Sequence, residues 1–105
     1  GSDGHTASIF PDSMSLMADQ NLFAVSAHPG SGQKRITMTG PLILNAAMLL
    51  LPILGKSKAH ITPLLLGNAP ERELLPAGYV ISHARHISIY TDPASRPLQP
   101  PLPDK

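Results

Sequence analysis

Proline constrains this chain more than any other residue. There are twelve in 105 positions, and because each fixes φ and removes a backbone donor, regular structure has to fit between them. Five of them (Pro93, Pro97, Pro100, Pro101, Pro103) fall in the last thirteen residues, which sets 96–105 apart as a Pro-rich tail, expected to be disordered, after a domain over 1–95. Upstream, Gly40-Pro41 opens an element, since Pro is favoured in the first helical turn, and Leu42 to Leu49 reads as a helix, apolar around most of its circumference and so largely covered. Pro52 breaks it, so Leu50 to Leu54 reads as a short buried strand ending at Gly55, although Pro52 cannot donate to a ladder. Ser57 reads as the N-cap of a helix from Lys58 to Leu66, bent at Pro63 and ended by Gly67-Asn68.

The remaining segments alternate with these. Residues 1–11 read as a glycine-containing loop, followed by a short helix over Ser13 to Met17 with Asp12 or Ser13 as its N-cap. Leu22 to Ala27 is a strand closed by the turn His28-Pro29-Gly30-Ser31-Gly32, and Arg35 to Thr39 a half-buried strand with Ile36 and Met38 on one face. His86 to Thr91 is the last strand. Strand and helix in alternation predict an α/β fold, a parallel sheet covered by helices. With aromatics at 4%, its core rests on Leu, Ile, Val, Met and Ala.

A net charge of +1 and no basic run longer than Lys34-Arg35 exclude a nucleic-acid footprint. The absence of cysteine excludes disulfides and thiolate metal sites and permits the cytosol. The most apolar run, Pro41 to Leu54, is too short to span a bilayer, so no membrane partner and a cytoplasmic location are expected.

Two constellations carry chemistry. In Asp3-Gly4-His5 a carboxylate two residues from an imidazole can fix its tautomer and orientation while Gly lets the backbone turn; a surface loop of the same composition is the alternative. Arg35 and Lys58 each stand where a loop meets a regular element, a position suited to phosphate, or are two solvated cations. Gly55-Lys56-Ser57 is not a P-loop, because the first glycine of that motif falls on Leu50. Gly30-Ser31-Gly32 lacks the third glycine of a dinucleotide fingerprint. His83 and His86 lack a third metal ligand nearby, and His28 and His60 have no patterned partner.

Taken whole, Gly1-Ser2-Asp3-Gly4-His5-Thr6-Ala7-Ser8-Ile9-Phe10-Pro11 closely resembles the signature G-x-D-G-H-T-A-S-L-F-P of the 6-phosphogluconolactonases. Further landmarks follow in that family's order: Lys34-Arg35-Ile36-Thr37-Met38-Thr39 resembles P-x-R-I-T-L-T, Pro41 to Ala47 its P-x-I-N-x-A helix, and Gly55 to Ala59 its G-x-x-K-A segment. Leu75-Pro76-Ala77 and Ile89-Tyr90-Thr91-Asp92 complete the series. The resemblance implies a Rossmann-like layered sheet with helices on both faces, incomplete here, because the chain corresponds to the C-terminal portion of a larger enzyme. A missing N-terminal half with a phosphate loop, or a partner chain, would complete it.

The implied reaction is hydrolysis of the sugar-phosphate lactone 6-phospho-D-glucono-1,5-lactone to 6-phosphogluconate, with no metal or organic cofactor. The resemblance implies His5 as the base, Asp3 as its orienting carboxylate, Gly4 and Thr6 in the substrate loop with N–H groups from Gly4 to Ala7 at the oxyanion, and Arg35 and Lys58 on the phosphate. Glucosamine-6-phosphate deaminase shares the D-G-H core, but where its loop carries a glutamate this sequence has Phe10. A non-catalytic sugar-phosphate-binding module, or an inactive fragment, is the remaining alternative.

Overall fold

Two pairs of strands organise the chain, and they are built differently. The computed structural model describes residues 1–96; apart from Arg96, the tail expectation over 96–105, like the effect of Pro97 on a final helix, lies outside the described residues. In the second half, β3 (Leu49–Ile53) and β4 (Ile87–Thr91) pair in parallel, Leu49 opposite Ile87 and Ile53 opposite Thr91. A parallel pair needs a crossover. It is made by a 3-10 turn (Lys56–Lys58), α2 (Thr62–Leu66), a 3-10 helix (Pro70–Leu74) and α3 (Pro76–His83). β4 is the only neighbour of β3 among the described residues, so Pro52 lies on an edge strand, the setting in which a ladder tolerates proline.

The first half holds an antiparallel hairpin, β1 (Phe23–Ala27) against β2 (Lys34–Met38), with Val25 opposite Ile36. This corrects the expectation of parallel strands throughout: the turn of residues 28–33 is short enough only for antiparallel neighbours, closed by the Gly32 N–H on the His28 carbonyl at 2.8 Å. The expected inner face is corrected too. Thr37 is 3% exposed and Ser26 is buried, while Ile36 is 79% exposed; Thr37 meets backbone there, the Ser8 N–H donating to its Oγ1 at 3.0 Å, whereas the Ser26 hydroxyl has no partner among the described residues.

The helices start at their prolines, which shortens several expected elements. A 3-10 helix (Pro11–Ala18) replaces the helix at Ser13 to Met17; Ser13 lies inside it, its Oγ accepting from the Phe10 N–H at 3.0 Å rather than serving as N-cap. α1 is Gly40–Leu44, so Leu49 starts β3 instead of ending a helix. Pro63 does not bend a helix from Lys58; it occupies the first turn of α2, and Ser57 caps nothing.

Absent from the sequence expectations is α3, which is the spine of the fold. Its Val80 joins Ile9, Met17 and Ile43 in one buried cluster, and its Ala77 joins Ile53, Ile61 and Leu65 in another. A Cβ at Gly78 would sit 2.0 Å from the Arg72 carbonyl oxygen, so only glycine lets α3 lie this close to the preceding 3-10 helix. Among the described residues no helix is long and apolar enough to cross a membrane.

Candidate active site

The opening loop is a tightly bonded unit. Gly4 takes φ +85°, a conformation that favours glycine, and a Cβ there would crowd the Leu75 side chain at 3.1 Å. Its carbonyl accepts the Ala77 N–H at 2.8 Å, tying the loop to the first turn of α3. Thr6 and Ile9 then exchange backbone bonds of 3.3 and 2.9 Å around Ala7, which adopts φ +49°.

Within this loop Asp3 and His5 meet as their spacing suggested. Asp3 Oδ1 lies 2.5 Å from His5 Nδ1 and also accepts the His5 backbone N–H at 3.0 Å. Partial burial pushes the Asp3 carboxyl up, but the bonds from the His5 N–H and imidazole outweigh it and hold the carboxyl below its ordinary value. An ionised Asp3 accepts from Nδ1–H, which leaves Nε2 of a neutral His5 free of its proton.

His5 lines a cleft of about 60 Å³ together with Leu51, Pro52 and Ile53 of β3, Ile61, and Lys58. It opens at the carboxyl end of the parallel pair, where α/β sheets generally bind ligands. Gly55, at φ +95°, turns the chain out of β3 so that Lys58 arrives at this rim, its ammonium 3.5 Å from the Leu54 carbonyl. The turn is clamped: the Gly55 N–H donates to both oxygens of Asp92, at 3.1 and 3.2 Å, and Ser95 N–H adds a bond of 2.8 Å. These donors hold the Asp92 carboxyl below its ordinary value, the Gly55 N–H foremost.

Arg35 does not line the cleft. Its guanidinium stands 6.0 Å from the centroid of the Phe10 ring and 3.3 Å from Gln33 Oε1. Phe10, 1% exposed, is also in contact with the His5 ring at 4.8 Å and the His28 ring at 5.2 Å. Sequence reasoning gave His28 no role, and no spacing rule would have found it, because it lies eighteen residues beyond Phe10, the ring that links it to His5.

The expectation that N–H groups from Gly4 to Ala7 face an oxyanion needs correction. Gly4 N–H donates to the Gly1 carbonyl, His5 N–H to Asp3 and Thr6 N–H to Ile9, which leaves only Ala7 N–H of that stretch without a bond to the described residues. His83 is similarly committed, 2.6 Å from Glu73 Oε1 and stacked on Tyr79, and is not paired with His86.

A family model described as glucosamine-6-phosphate isomerases/6-phosphogluconolactonase matches residues 1–89. The chain is 36% identical over 95 residues to a 6-phosphogluconolactonase of Haemophilus influenzae, covering 90% of this chain and 40% of that protein. It is 45% identical over 58 residues to one of Treponema pallidum, covering 55% of this chain and 24% of the relative. Among solved structures, the devB protein superposes with a TM-score of 0.80 at 34% identity, and a 6-phosphogluconolactonase from Leishmania guyanensis with 0.72 at 31%. Each superposition covers 90% of this chain, but only 40% and 37% of the respective structure. The chain thus spans well under half the length of these relatives.

Proposed function

The chain belongs to the glucosamine-6-phosphate isomerase/6-phosphogluconolactonase family, and on that premise we propose that it carries the acid–base half of a site that hydrolyses 6-phospho-D-glucono-1,5-lactone to 6-phosphogluconate. The observation that carries this reading is the 2.5 Å contact between Asp3 Oδ1 and His5 Nδ1 beside a cleft shared with Lys58. An imidazole so oriented is a general base at Nε2.

In the proposed reaction His5 Nε2 takes a proton from water as the oxygen of that water bonds to the lactone carbonyl carbon. The C=O electrons move to oxygen. When the tetrahedral species collapses, the bond from carbon to the ring oxygen breaks and His5 returns its proton to that oxygen, so the product is the open-chain acid and His5 is neutral again. Asp3 holds the tautomer throughout and stabilises the transient imidazolium. The Ala7 N–H is the remaining candidate donor to the oxyanion from this loop, and Lys58 supplies a cation for the 6-phosphate. Arg35 reaches the site only along the Phe10 ring in this chain, so its phosphate role requires the substrate to extend toward the hairpin.

The remainder of the site is proposed to come from the part of the family's length that this chain does not span. Phe10 favours the lactonase over the deaminase, since a buried phenyl ring cannot supply a carboxylate to ring opening.

The test is His5→Ala in the full-length protein, with lactone hydrolysis followed above the spontaneous rate. A fall on the order of a hundredfold or more is expected, the scale of a positioned base. An unchanged rate removes His5 from the chemistry.

A further inference from the structure

We propose that His28 is a positioning residue for His5, acting through Phe10. The inference rests on the reading of His5 as the base. His28 closes the β1–β2 turn with its side chain: Nδ1 accepts the N–H of Gly30 at 3.1 Å and of Ser31 at 3.2 Å. Two donors on one nitrogen require a lone pair there, so the ring proton sits on Nε2 and the imidazole is locked against the turn. The backbone of His28 is fixed too, its N–H on the Gln33 carbonyl at 2.9 Å and its carbonyl accepting from Gly32 at 2.8 Å.

A side chain bonded at Nδ1 and anchored through its backbone has little freedom to move. It meets Phe10 at 5.2 Å between ring centroids with the planes 72° apart, the favoured T-shaped arrangement, and Phe10 also contacts the His5 ring at 4.8 Å. Asp3 fixes one nitrogen of His5 and Gly1 lies close against the imidazole; Phe10 adds a further restraint on the swing of the ring, and His28 keeps Phe10 in place. The hairpin is joined to the loop at a second point, Ser8 N–H on Thr37 Oγ1, so the turn and the base are carried on one framework. The side chain therefore does two separable things, closing a turn and bracing Phe10.

His28→Asn separates them. Asparagine Oδ1 accepts N–H groups two and three residues on, so it keeps the turn and deletes the ring. In the full-length protein, His28→Asn is expected to lower kcat on the order of tenfold with KM nearly unchanged, the signature of a base held less well rather than of weaker substrate binding. By NMR the His5 Cε1–H resonance is expected to move or broaden, since the imidazole contacts the Phe10 ring, while His28→Ala shows both effects together with a loosened turn.

If His28→Asn leaves the His5 resonance as in the wild type, His28 is only a turn acceptor and the proposal is overturned. A moved resonance with unchanged kcat overturns it as well. If the wild-type protein hydrolyses no lactone, the functional reading fails, and the resonance alone decides whether His28 orients His5.

Discussion

The parallel pair β3–β4 and the antiparallel hairpin β1–β2 are the same size, five residues in every strand, yet they relate to the core in opposite ways. β3 sends Ile53 into the cluster under α2 and α3, with Leu51 and Ile89 packed against it. The hairpin sends Thr37 and Ser26 inward and leaves Val25 and Ile36 facing out. Burial of apolar area drives the first arrangement. The second is held by hydrogen bonds and by rings, Thr37 on the loop backbone and His28 and Arg35 around Phe10. The pair that builds the core supplies the wall of the cleft, whereas the pair at the periphery packs through His28 against the Phe10 ring that touches His5.

Substitutions can break this contrast. Ile53→Ala is expected to show the largest effect, a loss of about 2–5 kcal/mol in chemical denaturation, because it empties a buried site between β3 and two helices. Thr37→Val should cost less, about 1–3 kcal/mol, by leaving the Ser8 N–H without its acceptor at a partly buried place. If Thr37→Val proved neutral, the loop and hairpin would be coupled by something other than this bond.

Acid titration sharpens the comparison at the clamp beyond β3. The Asp92 carboxyl is held low in the folded chain, so its stabilising contribution is complete above the ordinary carboxylate value near 3.8 and is lost as pH falls through the lower folded value. The stability difference between wild type and Asp92→Asn should therefore shrink as the pH drops below that value, and a difference independent of pH would contradict the clamp. Smallest is Ile36→Ser, expected within about 0.5 kcal/mol of wild type in this chain because the side chain is 79% exposed. A larger loss would mean that the outer face of the hairpin is covered in solution.

What could be read from the sequence divides along the same line. Asp3 and His5 are legible because their partnership is local: two residues apart around a glycine, they meet whatever the rest of the chain does. The strands were legible as strands, and Gly55 as a strand end, from short-range chemistry. The inner face of the hairpin was not. A two-residue alternation says that the faces differ, and the convention that the apolar one is buried fails here, where the covering loop offers the Ser8 N–H to Thr37. Pro76-Ala77-Gly78 hid α3, since glycine in a helix argues against one until the approach to Arg72 is known. The convergence of Lys58 on His5, and of His28 and Arg35 on Phe10, depends on how distant segments pack, which no spacing encodes.

The bond from Ala77 N–H to the Gly4 carbonyl has a consequence for anyone wishing to transplant the opening loop. Eleven contiguous residues look like a portable cassette, but the glycine at their turn is shaped against Leu75 and hydrogen-bonded to a helix that begins at position 76. The smallest unit that can be moved is discontinuous: the loop together with the first turn of α3, in the spacing that the parallel pair imposes between them.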